Sequence, residues 1–303
     1  MRILCGDIGG TNTRLGLWDG VLGDVRHYSG AAFDGISGPV EAWLSTTGLR
    51  PDAACLAVAG PVSENRCATT NLPWIIDGLE LGERFRFPFQ IVNDFAAAAR
   101  GTTFLGEADR VQIGGGAAVS GGPVAVLGAG TGLGEALLVF DRVVAGEGGH
   151  AEFGPSNERE TRLAAWLVAR YGRASWEHVL SGAGLANLFC FSCFEQGKSA
   201  PDWATTAEGP ARVVQESPET VAWFAELYGS EAGNMALRSL SVGGVFLAGG
   251  IAPRILPALQ EGGFRRRFES KGKVSGAIRN IPVFAITHPA LGLLGAAASW
   301  GKP

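Results

Sequence analysis

The chain has 303 residues, 46% of them hydrophobic and 18% charged, with a net charge of −4. That length and apolar content suit one large core or two ordinary ones, and they favour two domains. The charge balance is not the footprint of a nucleic-acid-binding protein, and no apolar run reaches membrane-spanning length.

The N-terminal "MRILCGDIGG" enters a strand at once, predicted over 2–5, with no signal-peptide core. A cytoplasmic location with reduced thiols is therefore expected. The strand runs into "DIGGTNTR" (7–14) and then a second predicted strand over 13–18. A helix over 38–46 and a strand over 54–58 follow. Next comes a strand over 89–92 that ends in Asn93 and Asp94, before an alanine-rich helix over 95–100. An amide and a carboxylate where a buried strand gives way to a helix have two readings. Asp94 is either an N-cap or a reactive group at the strand end, where open α/β sheets place their ligands.

The 46 glycines are clustered rather than periodic, which points to tight turns or close backbone approaches. The patch "GGGAAVSGGP" (114–123) reads as a domain boundary or a flexible loop. Beyond it, a strand over 124–127, the turn "GAGTGLG" (128–134) and a strand over 135–140 echo the first 18 residues: apolar strand, Gly/Thr turn, apolar strand. Such an echo hints at two related halves. The segment "GEGGHAEFG" sets Glu147, His150 and Glu152 among glycines. It predicts poor packing, no stable helix and polar side chains on display, but not H-E-x-x-H metal spacing.

A helix over 158–171 precedes Glu177-His178, which reads as a helical surface pair or as part of a site. The helix over 184–195 holds Cys190 and Cys193, read as buried thiols rather than a redox or metal site. A long helix over 218–240 leads to a buried strand over 244–248 that ends in Gly249-Gly250. That turn lets a flat ring or ribose lie against backbone, or is simply a tight turn. A strand over 282–286 and a helix over 292–299 close the chain. The interleaving predicts an α/β architecture with largely parallel sheets.

Glycine loops bind phosphate because converging backbone N–H groups meet no side chain. The dinucleotide fingerprint G-x-G-x-x-G is absent, and Gly197-Lys198-Ser199 lacks the first Gly of a P-loop. What remains is the pair of Gly/Thr turns, either two β-turns or two phosphate loops. Asp7, ending the first strand, is placed to hold Mg²⁺ through waters. Several carboxylates, an amide and an imidazole, with no thiolate cluster, suit a neutral polyol.

Taken in order, "DIGGTNTR", "IVNDFAAAARG", "GAGTGLG", "GEGGHAEFGP", "EHVLSGAGLANL" and "FLAGGIAPR" resemble the bacterial glucokinase family, over nearly the whole chain. The resemblance implies a two-domain actin-like ATPase (ribonuclease H-like) fold with a central cleft. It implies a small α/β domain over 1–104 plus 288–303 and a large one over 105–287. It also implies ATP-dependent phosphorylation of D-glucose to glucose 6-phosphate, a glycolytic step, with ATP and Mg²⁺.

By the same resemblance, Asp7, Gly9, Gly10, Thr11 and Asn12 form the first phosphate loop, with Asp7 near the metal. Gly130, Thr131 and Gly132 form the second, and Gly249 and Gly250 the adenosine site. Asn93 and Asp94 are the sugar-binding amide and the catalytic base. Glu147, His150 and Glu177 complete the sugar ligands, and "TNLPW" (70–74) is a small-domain segment near the sugar. The partners implied are sugar and nucleotide, in a homodimer, with no nucleic acid and no membrane. The zinc motif of the related repressor/open-reading-frame/kinase group is missing after His150. Three alternatives stay open: a kinase for another hexose or donor, a silent sugar sensor on the same fold, and a chaperone-like ATPase.

Overall fold

The computed structural model describes residues 1–10, 12–69 and 72–302; Thr11, Thr70, Asn71 and Pro303 lie outside them. Two compact units divide the chain, one of residues 1–106, 141–145 and 288–303, the other of residues 107–140 and 146–287.

In the first unit, β1 (Ile3–Ile8) and β2 (Asn12–Trp18) form an antiparallel hairpin, and β3 (Leu22–Ser29) lies outside β2. After α1 (Ser37–Thr47), β4 (Ala53–Val58) pairs parallel to β1, and β8 (Phe89–Asn93) parallel to β4. The sheet order is β3-β2-β1-β4-β8. "AACLAV" is buried at all six positions, as a central strand covered on both faces should be. Alternation along β1 separates the faces. Leu4 and Ile8 join the cluster around Trp43 of α1, whereas Ile3 and Cys5 join Cys55, Ala97 and Leu293 on the other side.

That second face is covered by α3 (Asp94–Gly101) and the C-terminal α11 (Leu291–Ser299). Their alanines and glycines have a packing reason. A Cβ on Gly295 would overlap the Ala97 carbonyl, and one on Gly101 would lie 2.9 Å from the Leu291 carbonyl oxygen. Three short strands, β5 (Val62–Ser63), β6 (Arg66–Ala68) and β7 (Ile75–Asp77), make a separate small sheet. It leads into α2 (Gly78–Phe85), which Asp77 caps by accepting the N–H groups of Leu79 and Glu80.

The second unit repeats the plan. Strands β10 (Val124–Ala129) and β11 (Leu133–Val139) form an antiparallel hairpin. β13 (Gly244–Ala248) pairs parallel to β10, β14 (Val283–Ile286) parallel to β13, and β9 (Arg110–Gly114) closes that edge antiparallel to β14. Between β11 and the helices α4 (Glu158–Tyr171), α5 (Gly182–Glu195), α6 (Gly209–Glu216) and the 22-residue α7 (Pro218–Ser239) runs β12 (Arg142–Gly146), whose residues up to Ala145 belong to the first unit. Leu127, Phe191, Phe224, Tyr228 and Phe264 anchor one continuous apolar core. The sequence echo is thus a structural one: hairpin, then a parallel strand beside its first arm.

Several expectations change. The glycine patch 114–123 is a loop after β9 and not a boundary. It lies inside the second unit, and the N–H groups of Gly116 and Val119 donate to the carbonyls of Asn280 and Val242. The strands entering the two Gly/Thr turns continue to Ile8 and Ala129, past the predicted 5 and 127, because ladder pairing carries the chain through residues of poor strand propensity. β3, the β5–β7 sheet, α2 and β9 were not foreseen. Gly78 and Gly82 weaken the helical signal of α2 at about 1 kcal/mol each.

Candidate functional site

In the first unit, Asp7 pairs in register with Arg14 on β2 and with Ala57 on β4. Its side chain keeps 27% of its surface, with the Arg14 guanidinium 3.8 Å away. Arg14 is aimed there because its Nη1 donates to the Pro289 carbonyl at 2.9 Å. A Cβ on Gly292 would lie 2.6 Å from the Asp7 carboxyl carbon, so only glycine lets the start of α11 pass. Burial raises the Asp7 pKa and Arg14 pulls it back down in part. Beyond β1, the Gly9 N–H donates to the Asn12 carbonyl at 3.0 Å and closes the loop. Gly10 belongs to the same turn, while Thr11 lies outside the described residues.

Asn93 and Asp94 stand at the same sheet edge. Val58 pairs with Asn93, so β4 alone separates them from the Asp7 strand, a backbone separation of about 10 Å from two strand spacings. The capping expectation for Asp94 is corrected. The N-cap of α3 is Asn93, whose Oδ1 accepts the N–H groups of Phe95 and Ala96, both at 3.0 Å. Its Nδ2 donates to the Gly60 carbonyl at 3.1 Å and retains a second N–H. Asp94 is the first helical residue, its Oδ1 accepting the Phe95 N–H at 2.9 Å.

In the second unit, Glu177 ties three segments together. Its Oε2 accepts the Leu133 N–H at 3.0 Å, just past the glycine loop, and a Cβ on Gly132 would lie 2.5 Å from that oxygen. Its own N–H donates to the Gly149 carbonyl at 2.8 Å, and its Oε1 stands 3.8 Å from His150 Nδ1. The Gly148–His150 segment is a 3₁₀ turn entered from Glu147, with the His150 N–H donating to the Glu147 carbonyl at 3.0 Å. The expectation of poor packing is therefore corrected: Gly149 is buried, and a Cβ there would overlap the Leu133 carbonyl. Glu147 and His150 themselves are exposed, and Arg173 donates to the His150 carbonyl and pairs with Glu152. Glu177-His178 is no helical pair, since both residues precede α5. His178 turns away to stack on Tyr171, with ring centroids 4.6 Å apart.

The second glycine loop is closed by Gly130 N–H to Gly132 carbonyl at 2.9 Å, and Gly130 accepts from Gly182 at the start of α5 at 2.8 Å. Thr131 is exposed at its tip. One strand over, Gly249 follows β13 at φ +81°, a left-handed conformation in which a Cβ would overlap Ala129. Gly250 beside it faces open space. Register pairs Gly128 with Ala248, so loop and turn share one sheet edge.

Among the described residues no three His, Cys, Asp or Glu side chains converge as a metal-ligand set. Mg²⁺ keeps most of its waters and asks for one or two carboxylates. Asp7, desolvated, with no hydrogen bond among the described residues and a cation only at 3.8 Å, fits that demand. Arg14 ends the 7–14 motif without a local signal that it would face Asp7, and Gly292 carries no local signal at all.

A family model described as glucokinase matches residues 4–302. The glucokinase of Tolumonas auensis is 36% identical over 98% of this chain and 96% of its own length. Among solved structures, a glucokinase from an Antarctic psychrotroph superposes with a TM-score of 0.85 at 33% identity, covering 98% of each chain. A ROK family glucokinase from Streptomyces griseus in complex with glucose and AMPPNP shares the fold, with a TM-score of 0.70 at 19% identity and 98% of each chain covered. The repeated hairpin-plus-parallel-strand unit and these likenesses define the class: a sugar kinase on the actin-like ATPase fold. Within that class, the chain belongs to the glucokinase family.

Proposed function

We propose that this chain transfers the γ-phosphoryl of ATP to the 6-hydroxyl of D-glucose, with Asp94 as general base. The observation that carries the reading is the division of labour at α3: Asn93, not Asp94, is the N-cap, and Asp94 stands half-buried as the first helical residue where the sheet ends. A CH₂OH group is a poor nucleophile, and Asp94 takes its proton as the oxygen attacks. Asn93 orients the sugar through its remaining amide N–H, and Glu147, His150 and Glu177 accept from or donate to the ring hydroxyls. The loops at Gly9–Asn12 and Gly130–Gly132 hold phosphates through backbone N–H groups, and Gly249-Gly250 takes the adenosine. Asp7 would hold Mg²⁺ through waters; bound there, the ion supplies positive charge against the phosphates. The reading as a cytoplasmic homodimer rests on the family resemblance, and light scattering of the purified chain tests its second half.

A coupled ADP-release assay with glucose, mannose, fructose and N-acetylmannosamine, each with Mg·ATP, tests the substrate. Glucose should give the highest kcat/KM. In Asp94→Asn, turnover should fall on the order of a hundredfold to ten-thousandfold with sugar affinity nearly unchanged. Wild-type turnover in that variant would remove the general-base role.

A further inference from the structure

Glu135 is a buried carboxyl of the second unit that the candidate site leaves without a task. It lies on β11, three residues past Gly132, is 3% exposed, and its Oε1 has no hydrogen-bond partner among the described residues. Leaving an ionised carboxylate buried and unpaired costs several kcal/mol. Its neighbours do not relieve it. On one side stands α7, presenting Tyr228, Glu231 and Arg238. Glu231 is wholly buried and already takes Arg238 at 2.7 Å and Asn234 at 2.8 Å. Lys271 is committed to Asn234 and the Ser230 carbonyl. The Tyr228 hydroxyl donates to the Leu127 carbonyl.

On the other side stands the turn that carries Glu147 and His150, both exposed. Gly148 rests so closely on Glu135 that a Cβ would overlap Oε2 and lie 2.9 Å from the carboxyl carbon.

We propose that Glu135 is a positioning residue: its carboxyl is the floor beneath the Gly148–Gly149 backbone, and ionisation of that carboxyl loosens the turn that presents Glu147 and His150 to the hexose. The sugar clause rests on the proposed function; the support of the turn does not. Burial raises both carboxyls of this pair, but Glu231 has the cation and the amide, which leaves Glu135 the one more readily protonated. Burial first, then repulsion from Glu231, pushes it up to about 7, against a smaller pull from Arg238. Once charged, the group must draw in water or a donor, and the room above it is filled by Gly148. Displacement there is transmitted directly, since Gly149 accepts from the Glu177 N–H and the Ala151 N–H donates to Gly148.

Amide hydrogen exchange over residues 146–151 tests this on the ligand-free chain. Wild type and Glu135→Gln are compared from about pH 6 to pH 8, corrected for the intrinsic base-catalysed rate. Wild type should lose protection several-fold across neutrality, and the Gln variant should stay flat. Glucose binding by calorimetry should follow: a Kd that rises several-fold with pH in wild type and holds steady in the variant. Identical corrected profiles in the two proteins would overturn the assignment. Protection that follows the forecast while neither protein binds any hexose would support the floor and defeat the proposed substrate. Should the Gln variant not fold, Glu231→Gln supplies a second test. Removing the like charge should move the wild-type exchange transition to lower pH, and an unmoved transition counts against Glu135.

Discussion

At the scale of single residues, Glu177 shows how one side chain serves two loops. Its Oε2 holds the Leu133 N–H beside the second glycine loop, and its Oε1 faces His150. Glutamine keeps a carbonyl for Leu133 but loses the charge toward a sugar hydroxyl. Glu177→Gln should raise the KM for glucose about tenfold, the worth of one charge-assisted hydrogen bond, and leave the KM for ATP close to wild type. Glu177→Ala should raise both, because the backbone beside Gly132 loses its anchor. Initial-rate kinetics in each substrate separate the two outcomes, and a Gln variant with unchanged glucose KM would remove Glu177 from the sugar ligands.

At the scale of elements, the start of α3 sets a cap and the proposed general base in adjacent residues. Asn93→Ala removes the acceptor for two helix N–H groups and the link to Gly60. The expected loss is about 1 kcal/mol of stability in urea denaturation. Turnover should fall further than that loss explains, because Asp94 is the first residue of the frayed helix. The turn after β13 offers a separate case. Gly249→Ala forces a Cβ into left-handed backbone and onto Ala129. A raised KM for ATP with an unchanged KM for glucose is expected, read in the same assay.

At the scale of the whole molecule, pH dependence of stability should carry the mark of Glu135. Folding lifts this carboxyl from 4.5 to about 7. The folded state therefore holds the proton more tightly than the unfolded one, and stability falls as pH rises through that window. The shift is equivalent to about 3 kcal/mol at alkaline pH. Glu160 acts in the opposite sense. Burial alone would raise it, but hydrogen bonds from Ser156 and Arg267 outweigh that and hold it low. Its contribution is lost only as pH falls through the acid range. Denaturant titrations at about pH 5 and pH 8 should show Glu135→Gln close to wild type in acid and more stable than wild type in base. A variant less stable at both would refute the linkage.

The sequence by itself determined the α/β class, the two echoed hairpins and the family, because glycine turns and apolar runs are local signals that survive without neighbours. It also put Asp94, Glu147, His150 and Glu177 among the candidates. Only the tertiary structure decided that Asn93 is the cap and that Glu177 leaves His178 to a stack with Tyr171. It alone put Glu135 under Gly148 and brought Gly292 against Asp7. The Asn93 cap and the His178 stack are short-range, settled by which of two neighbouring polar residues the backbone turns inward; the Glu135–Gly148 and Asp7–Gly292 contacts join separate segments, and no local propensity encodes them, because close packing selects one partner from many that the sequence leaves equivalent.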